Sequence, residues 1–392
     1  MATPKTENIS RKERIFTVTG IICEYNPLHK GHKKQLDIIR RQDPDGTIVC
    51  LMSGDFVQRG APAVFNKALR AKAAILAGAD LVLELPVTGA LSSAEGFAAT
   101  GVAILSHFCD SLSFGAENAD SEALMSIARA LLSPAFSEQL KLQLQKGLSF
   151  PAARQAALTE IGMDASLLSL PNNILAVEYC KAIVAQNSAM KPMPILRQGS
   201  YHDTAPDKEN PSATSLRTLM ENGQDWASYV PAEARKSFEN ATAHILAYGE
   251  KAMLAKLRTM TDAEFEAIPF GSEGLWRKLM HAARKEATLE AIIAATKSKR
   301  YTRTRLDRMV LCAFLGITEE MLRTPAPYAR VLALNDKGRE VLKQARNTGI
   351  FPNIGEKLEH PYQLLEDRCD QLYGLFAEAP ETTPQYRIFY TN

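Results

Sequence analysis

The sequence predicts an α/β fold: an N-terminal doubly wound parallel sheet of Rossmann type, then a mainly α-helical C-terminal region with a small α+β element. Three observations lead there. Short β-branched apolar runs alternate with helical stretches from Ile15 to Phe114, at spacings that suit crossover units. A further helix and strand extend the alternation to Gln198. From about Ala232 to Arg323 the pattern turns almost wholly helical and rich in arginine and lysine.

Taken in order, Ile15–Cys23 reads as a strand buried on both faces. An Asn26-Pro27 turn follows, and His32–Arg41 reads as a helix. Thr47–Met52 is a second strand, ending in Ser53-Gly54-Asp55. Asn66–Gly78 is a helix with Asn66 as its cap and Gly78 as its stop. Leu81–Leu85, Ser92–Phe108 and Ser111–Phe114 then read as strand, helix and strand. Helices are expected over Asp120–Leu132, Ser149–Gly162 and Asn172–Gln186, with a fifth strand over Met193–Gln198. Ser212 caps a helix running to Met220. Near the C-terminus, Ala329–Leu334 reads as a strand and Gly338–Asn347 as a helix. The expected division is a flexible extension over 1–14, a nucleotide-binding unit over 15–230 and a basic helical region over 231–392.

Composition bounds the function without naming it. Of 392 residues, 46% are hydrophobic and 23% charged, the balance of a globular protein with a substantial core. A net charge of +2 makes no case for nucleic acid, although a basic patch can hide in a balanced total. The six cysteines form no CxxC pair and no zinc spacing, which suits a reducing compartment. The N-terminus lacks an apolar signal core, and no apolar run reaches the length of a membrane span, so a cytoplasmic protein is expected.

In open parallel sheets, ligands bind beyond the carboxyl ends of the strands. His29-Lys30-Gly31-His32 stands at such an end and opens a helix. Helix N-termini favour anions, glycine permits close approach, and histidines can stabilise charge developing at an attacked α-phosphorus. A bare HxGH string is weak; its position after the first strand carries the reading. Ser212-Ala213-Thr214-Ser215-Leu216-Arg217 resembles the S-[ST]-T-x-[IL]-R segment of HxGH nucleotidyltransferases. There, Ser212 and Thr214 hydroxyls and the Arg217 guanidinium would meet phosphates.

Several longer blocks carry a more specific resemblance. They are Gly20–His32, Met52–Gly60, Phe114–Glu117, Pro171–Leu175 and Lys299–Leu306, in that order along the chain. Together they closely resemble the bacterial tRNA(Met) cytidine acetate ligase family, a set of HxGH nucleotidyltransferase-like enzymes. The resemblance implies activation of acetate by ATP as acetyl-adenylate. Transfer of the acetyl group to N4 of the wobble cytidine of elongator tRNA(Met) follows. It maps ATP contacts onto Ile22-Cys23-Glu24-Tyr25-Asn26-Pro27-Leu28-His29-Lys30-Gly31-His32-Lys33-Lys34, with Gly115, Asn172 and Arg197; Asn173 is the neighbouring alternative to Asn172. Leu28 departs from the aromatic expected there. Mg²⁺ accompanying the ATP is an expectation from phosphate chemistry.

Other residues are weighed on their own chemistry. Asp55 and Arg59, after the second strand, can orient the acetate or the target base. Lys67 opens a helix against the dipole, which hints at an anionic partner. With His29 and His32, Asp55 and Lys67 form the expected catalytic set. Glu84 lies inside an apolar strand and requires a partner or the crevice. Glu95 is a second candidate carboxylate, and His202 is equally a cap or a phosphate contact. The stretch 297–308 has six positive residues and one negative, with Tyr301 among them. Lys297, Lys299, Arg300, Tyr301, Arg303 and Arg305 are the expected tRNA contacts, as phosphate anchors and a stacking ring. Two rival readings remain: an HxGH adenylyltransferase acting on a small phosphorylated metabolite, and a non-catalytic RNA-binding module.

Overall fold

The computed structural model describes residues 16–197, 207, 210–298, 300–324, 328–345, 348, 350, 361–382 and 387–392. The extension over 1–14, Gln198, His202, Lys299 and the end of the helix expected to reach Asn347 lie outside them.

The first half is the expected alternation. Strand β1 (Val18–Cys23) leads through α1 (Lys30–Gln42) to β2 (Thr47–Ser53), and a two-rung hairpin follows, β3 (Phe56–Val57) with β4 (Ala61–Pro62). Helix α2 (Lys67–Leu76) leads to β5 (Leu81–Leu85), then to α3 (Val87–Ala90), α4 (Ala94–Leu105) and β6 (Ser111–Ala116). Helices α5 (Ser121–Leu131), α6 (Pro134–Gln145), α7 (Phe150–Glu160) and α8 (Pro171–Ala185) precede β7 (Lys191–Leu196). Helices α9 (Ala213–Glu221) and α10 (Ala232–Arg235) close this half.

The helical body is α11 (Leu246–Thr259), α12 (Asp262–Ala267), α13 (Leu275–Lys285), α14 (Leu289–Thr296), α15 (Arg303–Leu315) and α16 (Glu319–Arg323). Strand β8 (Arg330–Leu334), α17 (Asp336–Gln344), α18 (Pro361–Tyr373) and β9 (Phe389–Tyr390) follow.

Strand order in the main sheet is β7-β6-β1-β2-β5-β8-β9. The first five are parallel, and β8 adds antiparallel to β5. The order reverses at β1, where crossovers leave on opposite faces and a crevice opens at the strand ends. Alternation explains the two cores. Ile22, Val49, Leu51 and Leu83 pack against α4, α5 and α8, while Ile21, Ile48, Cys50 and Val82 pack against α1 and α2.

Local chemistry sets the helix starts. Asn66 Oδ1 accepts from Leu69 N at 3.0 Å, and Ser212 Oγ accepts from Ser215 N at 3.1 Å, as helix caps do. The sheet is not confined to residues before 230, because β8 and β9 come from the C-terminal region and cover the edge of β5. The helical body's core likewise takes Phe56, Val87 and Leu91 from the first half.

Candidate active site

The turn after β1 carries the first half of the site. Tyr25 holds a left-handed backbone, φ 46°, a conformation that L-residues with a large side chain adopt only under constraint. Its ring is buried 4.8 Å from that of His32, and its hydroxyl lies 3.5 Å from Cys50 Sγ. Arg70, fully buried on α2, fixes the ends of β1 and β2. Its Nη1 donates to Glu24 O at 2.6 Å and Ser53 O at 3.1 Å, and its Nη2 donates to Gly54 O.

His29 and His32 stack with ring centroids 3.6 Å apart and planes 19° from parallel. His29 N donates to His32 Nδ1 at 3.3 Å, and both ring nitrogens of His29 are buried without a hydrogen bond. Gly31 makes this packing possible, since a Cβ there would lie 3.0 Å from His29 Cε1. Burial, then His32, Arg197 and Arg217, hold the His29 imidazole well below its ordinary range. Burial, then Arg197, pushes His32 down to about 3. Both rings are therefore neutral near pH 7, each with one donor and one acceptor nitrogen.

These rings line a cavity of about 1060 Å³ with Gly31, Lys34, Gly115 and Asn172. Arg197, Ser212, Thr214 and Arg217 complete that wall. A Cβ at Gly115 would meet nothing within 4 Å, so the backbone there is open to close approach by a ligand. Hydrogen bonds and position distinguish the paired asparagines. Asn173 is buried, and its Oδ1 accepts from Glu117 N at 2.9 Å and Asn118 N at 3.0 Å. Asn172 lines the cavity, and its Oδ1 accepts from Arg197 Nη1 at 3.0 Å. Arg217 Nη1 donates to Asn26 O at 2.6 Å, and its Nη2 donates to Thr214 Oγ1 at 3.2 Å. Burial lowers both guanidinium groups from their ordinary range, yet arginine keeps its charge in proteins.

Several expected residues stand elsewhere. Ile22, Cys23, Glu24, Tyr25 and Asn26 line the cavity, whereas Pro27, Leu28, Lys30 and Lys33 are not among its lining residues. Leu28 is core, and Lys33 pairs with Asp37. Asp55 and Lys67, expected in one catalytic set with the histidines, do not line the cavity with them. Both are buried outside the cavity lining, where Asp55 Oδ1 accepts from Lys67 N at 2.6 Å. Lys67 Nζ donates to Glu84 Oε1 at 2.9 Å and to Asp370 on α18. The anion that this helix start attracts is a set of internal carboxylates. Arg330 completes the network, donating to Glu84 Oε2 at 2.8 Å and to Asp370 Oδ2 at 3.3 Å. Glu95 pairs with Lys181 at 2.9 Å on an exposed face.

The basic stretch is divided. Arg303 is held by Glu290 and Asp307, and Arg305 donates to Phe270 O at 2.8 Å with its guanidinium 4.8 Å from the Tyr301 ring centroid. Lys297 is exposed. Arg300 is open, its side chain 79% exposed and paired with Glu273 at 3.3 Å. Arg59, expected at the crevice, lines the cavity beside Gln58 on the β3–β4 hairpin, whereas residues 242–248 and Thr304 at the start of α15, which also contribute to the wall, escaped sequence reasoning. No motif marks residues 242–248.

Among the described residues no helix is long and apolar enough to cross a membrane. A family model described as HIGH Nucleotidyl Transferase matches residues 16–386. The chain is 36% identical over 365 residues to the tRNA(Met) cytidine acetate ligase of Clostridium tetani, covering 87% of this chain and 90% of that protein. It is 34% identical over 361 residues to the protein of that name from Clostridium acetobutylicum, covering 86% and 90%. Among solved structures, Thermotoga maritima TmcAL bound with alpha-thio ATP superposes with a TM-score of 0.84 at 27% identity, covering 96% of this chain and 100% of that one. Its apo form gives 0.86 at 28% identity, with the same coverage. With the strand order, the stacked histidines and the Ser212 helix start already in place, these matches make the chain a member of the tRNA(Met) cytidine acetate ligase family of HIGH nucleotidyl transferases.

Proposed function

We propose that this protein activates acetate with ATP as acetyl-adenylate and transfers the acetyl group to N4 of the wobble cytidine of elongator tRNA(Met). The observation that carries the first step is the pair of neutral, stacked histidines on the cavity wall, with Arg197 and Arg217 close enough to perturb them. Leaving a polar group buried and unpaired costs about 1–3 kcal/mol, which a phosphate oxygen accepting from the single N–H of His29 would offset. The Thermotoga structure bound with alpha-thio ATP supports a nucleotide in this cavity.

In this reading the triphosphate lies between the N-terminus of α1 and the Ser212 helix start. Arg197 and Arg217 balance its charge. An acetate oxygen attacks the α-phosphorus, pyrophosphate leaves, and His29 and His32 donate to oxygens whose charge grows in the transition state. The cytosine N4 lone pair then attacks the acetyl carbonyl carbon. The bond to AMP breaks, and N4 loses a proton. Such a base has to be turned out of its loop to reach a crevice. Among the described residues no group of three or more His, Cys, Asp or Glu is placed to hold a metal. Mg²⁺ would then arrive with the triphosphate, held by phosphates and water. The names of the relatives support the acetate and the tRNA.

Two measurements test the reading. ATP–pyrophosphate exchange should require acetate, and tRNA incubated with ATP and labelled acetate should yield labelled N4-acetylcytidine on nucleoside mass analysis. Exchange that needs a phosphorylated metabolite instead would favour a small-molecule adenylyltransferase. Tight tRNA binding with no exchange would favour a binding module.

A further inference from the structure

We propose that the part of the cavity bounded by the β3–β4 hairpin, residues 242–248 and Thr304 is the subsite for the acceptor base, with Tyr248 as its stacking platform. The inference rests on the acetyl-transfer reading and assigns the base a place within it.

Position comes first. Asn26, in the histidine turn, accepts from Val64 N at 2.7 Å through its Oδ1, and Val64 O accepts from His244 N at 2.8 Å. The segment that leads into α11 therefore hangs from the same turn that carries the nucleotide-facing histidines. Its other side is fixed, because Ile245 N donates to Phe376 O at 2.9 Å and His244 bridges to Ala377. The segment is thus tied on both sides and lines the same cavity as the histidines.

Orientation follows from the next residue. Gly249 presses against Phe376 so closely that a Cβ would lie 2.4 Å from that ring. Helix α11 turns its Gly249 face inward there, and Tyr248 is left 44% exposed on the cavity wall. A large aromatic held open on the cavity wall presents a ring face to whatever enters. Stacking on a base is its natural use, since every base presents a π-face.

The neighbouring groups suit the edge of a pyrimidine. Gln58, Arg59 and Thr304 line the same cavity and supply amide, guanidinium and hydroxyl functions. Cytosine offers acceptors at O2 and N3 beside its N4 amine, so donors along this wall can hold the ring while N4 faces the acyl group. The backbone of Gln58 is fixed. Its N donates to Glu24 Oε1 at 2.8 Å, its O accepts from Arg308 Nη1 at 3.3 Å, and its Nε2 donates to Ser92 O at 3.4 Å, leaving its other amide hydrogen for a base. The hairpin thereby joins the nucleotide turn to α15.

The test uses the full chain with unmodified elongator tRNA(Met) transcript. Acetate-dependent exchange and acetylcytidine formation are compared for wild type, Tyr248→Ala and Tyr248→Phe, with thermal melting as a check on folding. Tyr248→Ala should lose acetyl transfer by about tenfold or more, the scale of one base–aromatic stack. Its exchange rate and its KM for ATP should stay at wild-type values, and Tyr248→Phe should restore transfer because the ring suffices. Unchanged transfer in Tyr248→Ala overturns the proposal. So does a raised KM for ATP, which would place the adenine on Tyr248, or failure of the phenylalanine variant to rescue. A wild-type protein without acetate-dependent exchange overturns the functional reading itself, a result distinct from any of these.

Discussion

His29 and His32 set two residue-scale expectations. Their pKa values are lowered, so both rings are already neutral in the free enzyme well below pH 6. The profile of kcat/KM reports groups of the free enzyme. Acetate-dependent exchange should therefore show no inflection near the usual histidine pKa of about 6.5. His32→Ala should lose about 100-fold or more of that exchange, as removal of a transition-state donor does, while tRNA affinity is retained. An imidazole-like acid limb that His32→Ala abolishes would show the ring to be charged in the working enzyme. Glu366 gives the second expectation. Burial, then Glu84, raises its carboxyl to about 8, so the native state holds a proton that the unfolded chain releases near 4.5. With more protons bound in the native state, stability falls as pH rises through that window. Glu366 Oε1 accepts from Val87 N at 2.7 Å, and a glutamine oxygen can keep that bond. Glu366→Gln should thus melt near wild type at about pH 4 and above it at neutral pH and at pH 9, followed by circular dichroism.

At the scale of elements, the first turn of α15 carries cations that hold the protein, whereas Arg300, just before it, faces outward. Arg303 is engaged by Glu290 and Asp307, and Arg305 by Phe270 and Ser272, whereas Arg300 is largely open. Arg300→Ala should weaken tRNA binding and reduce the slope of log affinity against log salt by about one. Arg303→Ala should instead lower melting slightly, because exposed ion pairs contribute about 0.2–1 kcal/mol. Equal salt slopes for wild type and Arg300→Ala would remove Arg300 from the tRNA surface. These elements also show what was legible. Strands β1, β2 and β5 announce themselves by unbroken apolar runs, and the Asn66 and Ser212 caps by residue type followed by helical pattern. Helix α18 was missed because Glu366 and Asp370 occupy its buried face and break the apolar period. The partner of Lys67 was equally illegible: Asp370 lies 303 residues away, beyond any local pattern. The strand-end half of the cavity was readable from motifs, while residues 242–248 carry no motif and acquire meaning only where the chain returns to Val64.

For the whole molecule, the question is whether the nucleotide-binding unit can stand without the C-terminal region. In sequence it ends near 230; in space its sheet runs on into β8 and β9. Lys67 and Glu84 are buried inside the first half, and Asp370 and Arg330, which satisfy them, come from the C-terminal region. Removing one partner from a buried ionic group costs about 3–5 kcal/mol, a large share of the 5–15 kcal/mol by which domains are stable. A fragment of residues 16–230 would lose Arg330 and Asp370 together and also expose the β5 edge, where Leu81 pairs with Leu334. It should therefore fail to fold, showing no near-ultraviolet dichroism and an expanded elution volume. In the full chain, Arg330→Met should lower stability to denaturant by a few kcal/mol while the histidine turn stays intact. A compact 16–230 fragment that binds ATP would mean that the sheet edge and the buried carboxylates are dispensable, and that the C-terminal strands serve only to dock the helical body.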